Sequence, residues 1–270
     1  MGIISVSRHS LQKEYSMIRF ITVCIFVVLF LILSIPLLIA EWIIGKFNPE
    51  VKSKSSLAIV NWAFRMVIRI AGVKVIARGE ENIPTDTAVL YVGNHRSFFD
   101  IVLTYVRVPR PTGYISKLEM KRFPLLSNWM TNLHCLFLDR ENIKEGLKTI
   151  LAGVEKVKQG ISICIFPEGT RNKVADTFLP FHDGSFKIAE KGNVPVIPMT
   201  IVNSSAVFED QYPKIKKATV IIDYGKPIYL SDLDREIKKN IGSYVSGIMQ
   251  ETYFRMKDEY AAELGSTTQK

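Results

Sequence analysis

The spacing of apolar and polar positions gives the chain two textures. From Phe20 to Ala40 there are 21 consecutive residues without a charge, and only Thr22 and Ser34 carry polar side chains. At about 1.5 Å per helical residue this run spans roughly 30 Å, the thickness of a bilayer core. A signal peptide would have about 7 to 15 apolar residues followed by small ones. Here Glu41 and Trp42 follow instead, so the run is expected to be retained and to reside in a membrane. Pro36 removes a helical hydrogen bond and predicts a kink or break. Arg8, Lys13 and Arg19 precede the run, and Lys46, Lys52 and Lys54 follow it. That symmetry gives no orientation, and a full span and a hairpin entering one leaflet fit equally. Next comes a helix with Leu57, Val60, Trp62, Ala63, Met66, Val67 and Ile70 interleaved with Arg65 and Arg69. It fits an interfacial amphipathic helix with snorkelling arginines and a core-facing helix equally well.

Beyond residue 72 the pattern changes to short apolar runs alternating with helical periods. Runs at 73–77, 88–92, 113–116, 135–138, 161–166, 194–202 and 218–224 predict seven strands. Ile161-Ser-Ile-Cys-Ile-Phe is almost wholly apolar, as expected of a strand covered on both faces. Between the fourth and fifth runs, Ile143, Leu147, Ile150, Leu151, Val154 and Val157 form one helical stripe that stops at Gly160. Strand, helix, strand implies a mostly parallel sheet, hence an α/β fold of about seven strands flanked by helices. A last helix is predicted from Ser231, with Asp234 completing a capping box and Leu233, Ile237, Ile241, Val245 and Ile248 along one face. Gly265–Lys270 has the composition of a disordered tail.

Composition narrows the partners. The chain has 270 residues, 47% of them hydrophobic and 23% charged, which excludes intrinsic disorder. Its net charge of +9 suits an anionic partner such as a phosphorylated substrate or an acidic lipid surface. No nucleic-acid motif accompanies the basic residues, so nucleic acid is not expected. Cys24, Cys135 and Cys164 form no C-x-x-C pair, which argues against a disulfide framework or a cysteine zinc site and suits a reducing compartment.

Chemistry in open α/β sheets gathers in loops after the strands' carboxyl ends. Two such loops stand out: Gly93-Asn94-His95-Arg96-Ser97-Phe98-Phe99-Asp100 and Pro167-Glu168-Gly169-Thr170-Arg171-Asn172. His95 is a candidate general base, and Asp100, five residues later, is spaced to bond its other ring nitrogen and fix the tautomer. A turn histidine that only satisfies a cap is the alternative. Arg171 beside backbone amides at a glycine turn suits a phosphate. Glu168 could bond acceptor hydroxyls or orient Arg171, and a plain surface ion pair is the alternative. Ser97 lacks a G-x-S-x-G elbow, and Cys164 lies mid-strand in an apolar run, so neither reads as a nucleophile.

Together these residues resemble a family. Asn94-His95-Arg96-Ser97-Phe98-Phe99-Asp100 matches the H-x4-D motif of the glycerolipid acyltransferases, and Phe166-Pro167-Glu168-Gly169-Thr170-Arg171 matches their F-P-E-G-T-R motif. Phe137-Leu138-Asp139-Arg140 resembles the block between them, and Val194-Pro195-Val196-Ile197-Pro198 their fourth block. All four occur in the family's order. The chain as a whole is similar to the PlsC-type 1-acylglycerol-3-phosphate acyltransferases. That resemblance implies transfer of a fatty acyl group from acyl-CoA or acyl-carrier protein to the sn-2 hydroxyl of lysophosphatidate, giving phosphatidate, with no bound cofactor or metal. It makes His95 and Asp100 the catalytic pair. It places Arg140 and Arg171 on the acceptor phosphate with Lys117 as a third, and Glu168, Gly169 and Thr170 in the same substrate-binding set. Glycerol-3-phosphate or another lysophospholipid as acceptor, a membrane-bound phospholipase or thioesterase, and a non-catalytic lipid-binding protein stay open as alternatives.

The implied layout is a basic segment over 1–19, a membrane helix or hairpin over 20–48 and an interfacial helix over 49–72. A catalytic domain over 73–230, a C-terminal helix over 231–264 and a tail over 265–270 follow. The catalytic domain is expected on the cytoplasmic face of the cell membrane, where acyl thioesters are made.

Overall fold

The fold was analysed in a computed structural model of the chain. It describes residues 2–267, with side chains for 14–261. The side chains of Arg8 and Lys13 lie outside that range, as do residues 268–270 of the expected tail.

Three helices open the chain: α1 (Gly2–Leu33), α2 (Ile35–Phe47) and α3 (Pro49–Ala71). Helix α1 runs from Gly2, so the segment before the apolar run is continuous with it as one helix. The long uncharged run is divided at Ser34, with Pro36 in the first turn of α2, where its missing N–H is no loss. Glu14–Leu33 is long and apolar enough to cross a membrane, with a mean hydropathy of 2.7. Along α1 and α2, Ile18, Ile21, Ile25, Val28, Leu33 and Ile39 are exposed. Glu41 is buried and accepts a hydrogen bond from the Ser55 hydroxyl of α3 at 3.0 Å, tying α2 to α3. The α3 helix is capped by the Asn48 side chain, which accepts from the Val51 N–H. It buries Ser56, Val60, Ala63, Val67 and Ala71 on one face. Trp62, Arg65 and Arg69 lie exposed around the rest of its surface.

All seven expected strands form: β1 (Lys74–Arg78), β2 (Leu90–Gly93), β3 (Thr112–Lys117), β4 (Leu136–Leu138), β5 (Ser162–Ile165), β6 (Val196–Val202) and β7 (Thr219–Tyr224). They make one sheet in the order β1-β7-β6-β2-β5-β3-β4. The pairs β6–β2, β2–β5, β5–β3 and β3–β4 are parallel, and β7 runs antiparallel to β6. Every residue of β2, β5 and β6 is buried. Strands covered on both faces read as continuous apolar runs, which is why they were visible in the sequence.

Helices α4 (Phe99–Tyr105), α5 (Pro124–Asn132), α6 (Ile143–Lys158) and α7 (Lys187–Gly192) punctuate the sheet. On α6 the expected stripe is only half used. Val154 and Val157 are buried, whereas Ile143, Leu147 and Leu151 are exposed. The helix packs on α7, β4 and β5, and the Ile143, Leu147 and Leu151 part of its apolar face stays exposed.

The C-terminal region also differs from expectation. A 3-10 turn at Leu230–Asp232 precedes a short α8 (Arg235–Lys239), and α9 (Ile241–Thr267) starts afresh beyond Asn240. Asp234 sits at the α8 N-terminus without a side-chain cap bond. Near the start of α9, the Gly242 N–H donates to Asp183 Oδ1 at 2.8 Å, a cap from a distant loop. The helix packs on β6 through Ile241, Val245 and Met249. It continues through Gly265–Thr267, the first half of the expected tail.

By contacts the chain forms two units. One comprises residues 1–76, 96–107 and 203–220, and the other 77–95, 108–202 and 221–270. The stretch 73–230 is therefore not a single unit. The second carries the hydrophobic core, built from Leu90, Val92, Ile163, Phe186, Ile188 and Val196 with residues of α9.

Candidate active site

The second unit holds seven of the eight candidate residues. His95 follows directly on β2, and the Glu168–Arg171 turn follows β5, its parallel neighbour. Lys117 closes β3, and Arg140 lies just beyond β4. The carboxyl ends of β2, β5, β3 and β4 are consecutive along one edge of the sheet. At about 4.8 Å per strand, Arg171 stands one strand from His95, Lys117 two and Arg140 three.

The loop after β2 is fixed from both sides. On one flank, the buried Asn94 amide donates from Nδ2 to the Ile201 carbonyl at 2.9 Å and accepts from the Ile201 N–H at 2.7 Å, extending the β2–β6 ladder by a side chain. On the other flank, the His95 N–H donates to Glu168 Oε1 at 2.8 Å, and the His95 carbonyl accepts from the Asn172 N–H at 2.7 Å. The His95 ring stacks on Phe166, with centroids 4.3 Å apart and planes 17° apart. Gly93 makes room for this packing, because a Cβ there would stand 2.7 Å from the Phe166 ring.

The second loop begins with a turn in which the Gly169 N–H donates to the Phe166 carbonyl at 3.0 Å, with Pro167 at its second position. Gly169 has φ +71°, a conformation that favours glycine. Thr170 is exposed and Arg171 half-buried. Glu168 is only 5% exposed, and its Oε2 accepts from the Leu179 N–H at 2.9 Å. Its carboxylate therefore grips backbone amides of two loops, a task that its position in the motif did not announce. Arg140 is exposed as a residue, but desolvation of its guanidinium pulls its pKa below the ordinary value, opposed by the nearby Glu119 carboxylate.

Asp100 belongs to the other unit and is fully buried in the first turn of α4. Its Oδ2 accepts from the Arg96 N–H at 2.8 Å and the Ser97 N–H at 2.7 Å. The Ser97 hydroxyl in turn accepts from the Phe99 N–H at 3.0 Å. Ser97 and Asp100 thus form a capping box with aspartate in the acidic position, which gives Ser97 a structural task. In the same unit the Phe98 N–H donates to Glu209 Oε1 at 2.8 Å.

Asn94 and Asn172 are the site residues that motif reading passed over. Asn172 is buried, donates from Nδ2 to Thr177 O and Oγ1, and accepts from the Val174 N–H at Oδ1. The only sequence signal for either is an asparagine beside a reactive side chain at a strand end.

Chemically, the arrangement can take a proton from a hydroxyl at His95 while an anion is held at the neighbouring glycine turn. The class with this fold and these loops is that of the acyltransferases: the family model described as Acyltransferase matches residues 74–202. A 1-acyl-sn-glycerol-3-phosphate acyltransferase of Saccharomyces cerevisiae is 28% identical over 200 residues, covering 73% of this chain and 65% of that protein. A probable 1-acyl-sn-glycerol-3-phosphate acyltransferase of Mycoplasma pneumoniae is 31% identical over 193 residues, covering 70% of each. The crystal structure of the 1-acyl-sn-glycerophosphate acyltransferase PlsC from Thermotoga maritima superposes with a TM-score of 0.77 at 20% identity, over 91% of this chain and 98% of that one. That likeness establishes the fold. The chain belongs to the 1-acyl-sn-glycerol-3-phosphate acyltransferase family.

Proposed function

We propose that the protein transfers a fatty acyl group from acyl-CoA or acyl-carrier protein to the sn-2 hydroxyl of 1-acyl-glycerol-3-phosphate, giving phosphatidate. One observation carries the reading: the two motif loops leave neighbouring parallel strands, and Glu168 of one grips the backbone N–H of His95 of the other. In the mechanism, His95 takes the proton of the sn-2 hydroxyl as its oxygen attacks the thioester carbonyl. Asp100 serves as the carboxylate that orients and stabilises the imidazolium. Collapse of the tetrahedral intermediate breaks the C–S bond, and His95 returns the proton to the departing thiolate. No acyl-enzyme is required, because the thioester is already activated.

The acceptor phosphate carries about −1.5 to −2 charges at neutral pH. Arg171 with the Gly169–Thr170 turn is one strand spacing from His95 and is its first ligand. Lys117 follows, and Arg140 contacts it only by reaching back across two strands. The exposed apolar faces of α1 and α2 enter the bilayer, and the catalytic domain lies on the cytoplasmic side with the acyl donors.

The test is an assay of membranes containing the protein, with labelled acyl-CoA and acyl-carrier protein against a panel of lysophospholipids and glycerol-3-phosphate. Labelled phosphatidate from lysophosphatidate, absent in His95→Ala, is expected. Release of free fatty acid without an acylated acceptor would identify a hydrolase instead, and another preferred acceptor would overturn the substrate assignment.

A further inference from the structure

His95 has both of its main-chain groups held from a single direction. Its N–H reaches Glu168 and its carbonyl receives the Asn172 N–H, and both partners belong to the segment after β5. That segment is itself tied down. Glu168 Oε2 holds Leu179, the Asn172 side chain closes the turn to Val174 and Thr177, and the His182 N–H donates to the Pro167 carbonyl at 3.1 Å. Beyond it, Asp176 is bonded to Tyr253 and Lys257 of α9. Fixing the N–H and C=O of one residue fixes its Cα–Cβ direction, and stacking on Phe166 then fixes the ring plane.

We propose that Glu168 and Asn172 are positioning residues for His95 and that Glu168 is not a ligand of the acceptor. The inference rests on the reading of His95 as the base, and it deepens that reading by dividing the second motif into two tasks. Glu168 and Asn172 aim the base, while Gly169, Thr170 and Arg171 meet the phosphate. Burial supports this division. Glu168 and Asn172 are 5% and 3% exposed, whereas Thr170 is exposed and Arg171 half-buried. The identity of the acid also follows. Two backbone N–H donors converge on one side chain, so two acceptor oxygens are needed. A glutamine offers one oxygen and sets an NH₂ against the other N–H. An aspartate is one methylene too short to hold both loops.

Glu168→Gln is the direct test, because it keeps size and removes one acceptor. Two readouts are taken on the full-length protein: kcat and KM for each substrate, and amide hydrogen exchange of the peptide spanning residues 93–98. A misplaced base lowers the rate without loosening the substrate, so kcat should fall about 10- to 100-fold with both KM values unchanged. Exchange in the 93–98 peptide should accelerate, while the β5 and β6 peptides stay protected. Asn172→Asp, which loses the donor to Thr177, should shift both readouts in the same direction. A rise in acceptor KM at constant kcat would make Glu168 a substrate ligand and overturn the proposal, as would unchanged exchange at 93–98. Should the wild-type chain transfer no acyl group to any acceptor, the proposed function fails, and the exchange measurement still decides the clamp.

Discussion

Asn94 offers a sharp test of how the histidine loop is held. Its side chain exchanges two hydrogen bonds with the backbone of Ile201, at 2.9 and 2.7 Å, and both residues are buried. Asn94→Ala leaves the Ile201 N–H and C=O without these partners inside the sheet. Each unsatisfied buried group is worth about 1–3 kcal/mol. Water entering the space left by the side chain recovers part of that, so a loss of about 3–4 kcal/mol is expected. For a chain of this size, that lowers the melting temperature by roughly 6–16 °C. The substitution Asn94→Asp keeps the shape but sets an oxygen where Nδ2 faced a carbonyl. The new carboxyl is buried and gains from staying protonated, so its folded-state pKa rises above the unfolded value. Stability is then greatest below the unfolded pKa and declines as pH rises through the folded one. The variant should therefore melt higher at about pH 5 than at about pH 8, a difference absent from Asn94→Ala. Trp129, 2% exposed and in the same unit, supplies the fluorescence signal for the melts. An Asn94→Ala protein that melts within about 2 °C of wild type, less than the shift from 1 kcal/mol, would refute this account of the β2 loop.

Other expectations reach the chemistry and the anchor. His95→Ala should lower acyl transfer by at least about 10²- to 10⁴-fold without moving the melting temperature, and near-normal turnover would end the proposed mechanism. Asp100→Asn should impair turnover and lower stability by about 1.5–3 kcal/mol, since the Arg96 and Ser97 amides both donate to Oδ2 and lose the charge on their acceptor. Alanine at Arg171 should raise acceptor KM by about 10- to 100-fold, with smaller rises at Lys117 and at Arg140; equal effects on the acyl donor would reassign these residues. Desolvation pushes the half-buried Cys135 thiol up to about 12, so alkylation of native protein at about pH 8 should be far slower there than at a thiol of ordinary pKa. Deleting residues 1–48 should release much of the protein from membranes and depress activity on bilayer-borne acceptor more than on a soluble short-chain one. Retention at high salt would place the anchor elsewhere.

The parts of the fold that were legible in the sequence are those written in local periodicity. Ile161–Phe166 announced a covered strand, and Pro36 announced the break that falls at Ser34. The start of α9 was not legible, because the apolar spacing from Leu233 to Ile248 runs straight across Asn240. The cap that restarts the helix comes from Asp183, which is remote in the chain. The α6 stripe misled for a related reason: periodicity shows which side of a helix is apolar, not how much of it a neighbour covers. At the site, side-chain chemistry was readable and hydrogen-bond direction was not. Glu168 looks like any exposed motif carboxylate until Leu179 and His95 are brought to it. Ser97 does not read as a nucleophile in the sequence, but the bond its hydroxyl accepts from the Phe99 N–H at the start of α4 was not readable there.

The sheet order explains why these long-range partners exist. From β2 the chain passes to β3, then to β4 at the edge, and returns through α6 to place β5 between β2 and β3. This return brings a turn more than 70 residues away in sequence beside the histidine. The next strand, β6, takes the opposite flank of β2. The His95 loop is thus inserted between two strands that come later in the chain, and each side contributes hydrogen-bonding groups to it: the Ile201 backbone from β6, and the Glu168 carboxylate and Asn172 N–H from the segment after β5. A base acting on a lipid hydroxyl has little help from its substrate in finding alignment, because acyl chains are mobile and the head group is small. Aim must come from the protein, and hydrogen bonds to buried backbone hold it better than an exposed side chain could. That is the physical reason to expect the rate to be more sensitive to Glu168 than acceptor affinity is, although Glu168 stands only three residues before the arginine placed on the phosphate.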